Sequence, residues 1–339
     1  MRAVRLHAAG ERLRLDDVPI PDPTGTQVRI RVAGCGVCHT DLHIVDGTQP
    51  RVSLPVTLGH EVAGYVDAVG PDAGEDARIG QAVLVYGGWG CGVCRECRAG
   101  AEQRCDRSIA PGFQADGGYA EEMLVPDPRH LVPLSRLDLV RAAPLADAGV
   151  TPYRAVRRAE RWLVQGARVL VIGAGALGLF ALQYLRVVPE GGPDLLVVVQ
   201  ELPDAAHQQA TDLGADAVIL DPAPDAALTA LGDAADVVLD FVGTDATLAQ
   251  AAAVVSPDGL VVLVGEAGGS MPFGFEGLPV ESWLTTVAWG SHDDLRHVVR
   301  LAEDGVLRWD VEPVPLAEAS AAHDRLRSGD VNGRLVLVP

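Results

Sequence analysis

From Arg168 onward the sequence repeats one pattern, a short wholly apolar run followed by a stretch of helical character. The runs are RVLVIG, LLVVVQ, DAVIL, DVVLDFVG and GLVVLVG, and the first two helices extend to about Val187 and over about Asp204 to Leu213. A strand without polar alternation has no face to offer water, so both of its sides must be covered. Strands of this kind separated by helices dictate an α/β fold, a doubly wound parallel sheet with helices on both faces. The region before residue 140 has another texture. VRIRVAG, GYVDAVG and AVLVYGG are short β-type segments between Gly and Pro turns, which predicts a compact, mostly β domain. After about Trp289 the sequence predicts a helix near Asp293 to Asp304 and then one or two short segments ending in RLVLVP.

With 339 residues and 48% apolar content the chain can fill two packed cores. A formal charge of −19 argues against nucleic acid or an anionic membrane as partner, since both need a basic patch, and leaves small molecules. All 27 basic residues are Arg, so Schiff-base chemistry and a lysine general base are excluded. MRAVRLHAAGERLRLDD has no apolar signal core, and the longest uncharged run, Val169 to Leu185, is interrupted by three glycines. The expectation is a soluble cytoplasmic protein.

RVLVIGAGALGLF sets Gly173, Gly175 and Gly178 in G-x-G-x-x-G spacing between an apolar strand and a helix. That context makes it a dinucleotide turn of the Rossmann type, in which glycines admit the pyrophosphate to the helix N-terminus. Glu201 closes the second strand, where a carboxylate accepts hydrogen bonds from the adenosine ribose hydroxyls. A 2′-phosphate would need a cation there instead. Leu202, Pro203 and Asp204 supply none, and no Arg or Lys occurs between Arg186 and Arg296, so NAD is the expected cofactor.

Six cysteines fall in the first third of the chain, and in a chain of this size they read as metal ligands before disulfides. Cys91, Cys94, Cys97 and Cys105 form a C-x2-C-x2-C-x7-C series that matches a closed, structural zinc site. An iron–sulfur cluster is the alternative for four thiolates. Cys35 and Cys38 form a C-x-x-C, which by itself is compatible with a redox dithiol.

CHTDLH, GHE, the four-cysteine loop, AGVT, GAGALG and the terminal NGR follow one another in an order that, over essentially the whole length, resembles the zinc-dependent alcohol dehydrogenases of the medium-chain dehydrogenase/reductase superfamily. The resemblance implies a mostly β, GroES-like catalytic domain from residues 1–146 and 288–339, with a Rossmann domain from 147–287 inserted. It implies two zinc ions per chain, one structural and one catalytic, with Cys38 and His60 as catalytic ligands and Cys35 as a buried thiol. Where the family commonly has a cysteine before AGVT, this chain has Asp147. Aspartate is a competent third ligand, harder than thiolate; the alternative is a cap for the helix beginning near Thr151.

By the same resemblance Thr40 hydrogen-bonds the substrate oxygen and His43 passes the proton onward, unless His43 is only a pocket wall. Asp41 orients the zinc histidine or forms a turn, and Glu61 sits near the metal or is a plain buried acid. His39 and Arg334 match positions that contact the pyrophosphate, with a surface role as the other reading of His39. Trp289 resembles the segment lining the substrate pocket, and core packing explains it as well. His7, His130, His207, His292, His297 and His323 match no motif and read as surface or packing residues.

The function implied is an NAD-dependent zinc alcohol dehydrogenase interconverting alcohols, secondary ones slightly favoured, and ketones or aldehydes, as a homodimer or homotetramer. Two alternatives are a zinc-independent reductase of C=C or C=N bonds and a non-catalytic NAD-binding protein.

Overall fold

The computed structural model describes the chain except for residues 202–204, 273 and 332 and the side chains at 205 and 206. Leu202, Pro203 and Asp204, noted above for bringing no cation to the second strand, therefore lie outside the described residues. The chain divides into two compact units, Met1–Val150 with Trp289–Pro339, and Thr151–Ala288.

In the second unit the apolar runs are parallel strands. Their order across the sheet is Ala217–Ile219, Leu196–Gln200, Arg168–Ile172, Ala235–Asp240, Val255–Leu263 and Trp283–Thr286, and every neighbouring pair is parallel. Val169, Leu170 and Val171 in the central strand are fully buried, as strands covered on both faces must be. The helices Ala176–Val187, Ala205–Asp212, Pro224–Leu231 and Asp245–Val254 make the crossovers. The chain starts at Arg168–Ile172, steps outward twice, then returns to the other side of that strand at Ala235–Asp240. This is the Rossmann order, and the reversal opens a crevice at the C-terminal ends of those two strands, where Gly173 begins its turn.

The first unit is built on a mixed sheet running Val311–Pro315, Arg334–Val338, Val28–Gly36, Glu61–Val69, Ala82–Val85 and Leu131–Pro133, with Glu122–Val125 also paired to Val28–Gly36. Val28, Ile30 and Val32 point into the core while Arg29 and Arg31 point away, the two-residue period of a half-covered strand. Their core is shared with Val62, Val66 and, from the chain's end, Leu335 and Leu337. A smaller sheet joins Arg14–Asp17, Arg2–Leu6 and Val56–Thr57.

The expected helix near Asp293 spans His292–Glu303, and Ser291 and Asp294 cap it reciprocally. The short segments expected after it are an incomplete description, because a helix, Ala319–Ser328, precedes the last strand. Its buried residues Ala319, Ala322, His323 and Leu326 keep helical spacing, and Gly329 ends it at φ 74°. The polar His323 inside that stripe is what masked the pattern.

Candidate active site and metal centres

The four cysteines of the CGVCRECRAGAEQRC loop come together, each offering a sulfur within 4.8 Å of the others. Cys94 Sγ lies 3.4 Å and Cys91 Sγ 3.9 Å from Cys97 Sγ, and all of the cysteines are free thiols. A tetrahedral zinc with Zn–S bonds of about 2.3 Å separates its sulfurs by about 3.8 Å, so the donor set fits that metal. Backbone N–H groups, that of Val93 first, bring the Cys91 thiol down to about 6. Desolvation and then the neighbouring Cys94 thiol push Cys97 up to about 12. Thiolates crowded in this way need a shared cation to ionise together.

A second cluster holds Cys38, His60, Glu61 and Asp147. Cys38 precedes the helix His39–Val45. His60 and Glu61 arrive where the strand Glu61–Val69 begins, and Asp147 follows the turn Ala143–Ala146. Asp147 Oδ2 lies 3.5 Å from His60 Nε2 and 3.7 Å from Cys38 Sγ. Tetrahedral zinc with bonds of about 2.0 to 2.3 Å sets such edges at about 3.3 to 3.7 Å. Burial works to lower the His60 pKa, yet Asp41 and Asp147 on its two sides raise it well above the ordinary value. A site of two carboxylates and a thiol around a buried imidazole calls for positive charge, which a divalent metal supplies. Cys35 is fully buried, and burial pushes its thiol well up, so it is an inert neighbour of the cluster.

Asp41 Oδ1 faces His60 Nδ1 at 3.5 Å, while its Oδ2 accepts the Cys38 backbone N–H at 2.9 Å. Burial alone would raise the Asp41 carboxyl, but His60 and the N–H of Cys38 hold it below its ordinary range. Thr40 Oγ1 lies 3.6 Å from Cys38 Sγ. His43 follows three residues later on the same helix face and is half-buried, while His39 is exposed. Arg334 is buried and ion-paired to Glu61, its Nε 3.1 Å from Oε2. In this structure the guanidinium assigned above to a phosphate is thus engaged by the acid assigned to the metal's surroundings.

Trp289 adopts φ 51°, left-handed backbone that an indole-bearing residue rarely takes. Its ring stands edge-on to His60 at 6.3 Å and to Phe113 at 6.1 Å between centroids. Gly87 leaves room for it, because a Cβ there would meet the indole at 3.1 Å. Phe113 and Gly87 were not legible as site residues, since neither belongs to a motif that carries chemistry.

In the dinucleotide turn Gly173 sits at φ 90°, and a Cβ on Gly178 would strike the Gly173 carbonyl. Gly175 has open space where its Cβ would be, the cradle a pyrophosphate needs. Glu201 accepts the backbone N–H of Ala174 at 2.6 Å, which fixes the carboxylate beside the turn.

Two further residues extend the site. Tyr119 Oη lies 3.0 Å from Asp41 Oδ2 and 3.3 Å from Nε2 of His323, and all three are buried. Burial raises the Tyr119 phenol well above its ordinary value and lowers the His323 imidazole below its own, so both are neutral. His323 had only the reading of a surface or packing residue because the contact spans more than two hundred positions of sequence.

A dinucleotide fold joined to a β unit that carries a four-cysteine lobe defines a metal-binding dehydrogenase, and comparison with known proteins agrees. Residues 24–136 match the alcohol dehydrogenase GroES-like domain and residues 213–337 the zinc-binding dehydrogenase model. The chain is 36% identical to D-arabinose 1-dehydrogenase (NADP(+)) of Saccharolobus solfataricus, over 100% of this chain and 97% of that one. It is 37% identical to an NAD-dependent alcohol dehydrogenase of Sulfurisphaera tokodaii, over the full length of both. The crystal structure of the alcohol dehydrogenase from Aeropyrum pernix superposes with a TM-score of 0.92 at 35% identity, covering 100% of both chains. The chain belongs to the zinc-dependent alcohol dehydrogenases of the medium-chain dehydrogenase/reductase superfamily. Among the described residues no helix is long and apolar enough to cross a membrane.

Proposed function

We propose that the chain is an NAD-dependent alcohol dehydrogenase with a catalytic zinc on Cys38, His60 and Asp147 and a structural zinc on Cys91, Cys94, Cys97 and Cys105. The convergence of Asp147 Oδ2 with His60 Nε2 and Cys38 Sγ at 3.5 and 3.7 Å carries this reading. Residues 1–146 and 288–339 form its catalytic domain and residues 147–287 its dinucleotide domain.

Zinc supplies a Lewis acid for the substrate oxygen, and NAD supplies the hydride acceptor. The side chains do the rest. Thr40 Oγ1, beside Cys38 Sγ, takes the hydrogen bond from the substrate hydroxyl. His43, on the same helix face, moves the proton toward solvent at a ring nitrogen. Asp41 holds the His60 ring so that Nε2 faces the other two ligands. Trp289 and Phe113 give the carbon substituents an apolar wall, which favours secondary alcohols and their ketones. Glu61, paired with Arg334, places a buried carboxylate within 4.8 Å of the ligand atoms. His39, and Arg334 when its pair with Glu61 opens, contact the pyrophosphate in this reading.

Glu201 supports NAD over NADP, because a carboxylate fixed on Ala174 N–H repels a 2′-phosphate. Steady-state kinetics on 1-butanol and 2-butanol with each cofactor test the reading. The expected kcat/KM is at least about tenfold higher with NAD, one charge-assisted hydrogen bond's worth, and Glu201→Ala should narrow that gap. Equal use of NADP by the wild type would remove the assigned role of Glu201.

The same reading includes a homodimer or homotetramer. Trp283 and Leu284 on the outermost strand are 49% and 40% exposed, an uncovered apolar sheet edge. Light scattering should give a mass of two or four chains of 35.5 kDa, and a single-chain mass would refute it.

A further inference from the structure

Asp41 is a fully buried carboxylate with two oxygens to satisfy. Oδ2 receives the Cys38 N–H at 2.9 Å and faces the Tyr119 hydroxyl at 3.0 Å, while Oδ1 faces the His60 ring at 3.5 Å. An ionised carboxylate accepts and never donates, so the Tyr119 O–H must point to Oδ2. The phenol oxygen then has only lone pairs left for His323, and the 3.3 Å contact fixes Nε2–H as its donor. The bonds run head to tail from His323 through Tyr119 to Asp41, an arrangement in which each strengthens the next.

Backbone contacts pin this chain to the segment that bears His60. Tyr119 N–H donates to Leu58 O at 2.9 Å, and Gly118 N–H donates to Gly59 O at 2.9 Å. Gly59, at φ 96°, leaves the space that the Tyr119 ring fills. His323 comes from the helix Ala319–Ser328, whose next turn ties down the first helix through the paired contacts of Arg327 with Asp46 at 2.8 and 2.9 Å.

We propose that Tyr119 and His323 are positioning residues for the His60 imidazole, acting through Asp41 as a buried hydrogen-bond chain. Without the phenol O–H, Asp41 keeps a single donor on Oδ2 and is free to rotate away from His60 Nδ1. The imidazole then loses its fixed orientation, and the site its one nitrogen donor in the aligned position. The inference rests on the reading of Cys38, His60 and Asp147 as zinc ligands.

Zinc per chain, followed as a chelator is titrated into wild type, Tyr119→Phe, His323→Leu and His323→Gln, provides the test. In Tyr119→Phe one of two zinc ions should leave at about tenfold lower chelator concentration, the low end of what losing a ligand's outer partner costs, because Tyr119 acts on His60 only through Asp41. The other zinc, on the cysteine lobe, should leave as in wild type and serves as the internal control. His323→Leu should shift the same ion by less, and His323→Gln, whose amide N–H can replace Nε2–H, should restore it. Alongside, kcat for alcohol oxidation should fall while KM for NAD stays constant. Release of both ions at wild-type chelator concentrations in Tyr119→Phe would reduce the chain to packing and overturn the proposal. If that variant fails to fold, the His323 pair decides, and equal release from Leu and Gln variants overturns it likewise. A wild type holding a single zinc would instead overturn the metal-site reading beneath it.

Discussion

Asp147→Ala should hold one zinc ion per chain where the wild type holds two, and its alcohol oxidation should fall by on the order of a thousandfold. The size follows from what is lost. A Lewis acid contributes several kcal/mol to stabilising charge on the reacting oxygen, and about 4 kcal/mol is three decades in rate. The fold should survive, because Asp147 is replaced just after the short turn Ala143–Ala146, outside any strand or helix. Asp147→Cys should keep both ions and bind the catalytic one more tightly, as a softer ligand at about 2.3 Å suits zinc. Two ions in both wild type and Asp147→Ala, with activity unchanged, would return Asp147 to the role of helix cap. A single ion in the wild type would turn attention to the zinc-independent reductase.

The second large effect is in stability toward acid. His130 is 1% exposed among Tyr86, Trp89 and Glu102. Burial, aided by Arg129, lowers its pKa to about 3. Burial and Arg296 bring the neighbouring His292 to about 4. Both values lie below the ordinary 6.5, so between about pH 4 and 6.5 the unfolded chain binds protons that the folded chain refuses. The stabilisation is complete above pH 6.5 and is lost as the pH falls. At pH 5 His130 alone accounts for about 2 kcal/mol, and the part-exposed His292 for less. Denaturant unfolding at pH 7 and pH 5, with zinc in excess, should therefore show wild type losing about 2 kcal/mol more than His130→Phe. Parallel losses in the two proteins would mean that His130 is protonated in the folded state.

Much of this molecule is readable along the chain because its signals are local. Five apolar runs gave away five of the six strands of the parallel sheet, since a strand without polar positions has only one kind of environment open to it; the sixth, Trp283–Thr286, is half exposed and lacks that signature. Gly173, Gly175 and Gly178 required neighbours only within one turn, and the four clustered cysteines lie within fifteen residues of one another. The helix Ala319–Ser328 leaves no clear apolar stripe in the sequence because its buried face includes His323, a residue type that patterning places on the polar side.

Residue type and spacing by themselves pointed to the two kinds of domain, the glycine turn and the four-cysteine cluster, and they singled out Asp147 as an acid in an apolar segment that had to find a partner. The partner groups were decided only by the tertiary structure. Asp147 meets Cys38 across 109 positions, Arg334 meets Glu61 across 273, and Tyr119 meets His323 across 204. Such contacts leave no periodic trace, because a single buried polar pair imposes no pattern on the residues around it. What selects them is the requirement that each charge or hydrogen-bonding group taken from water be answered inside, and only the folded chain shows by which residue.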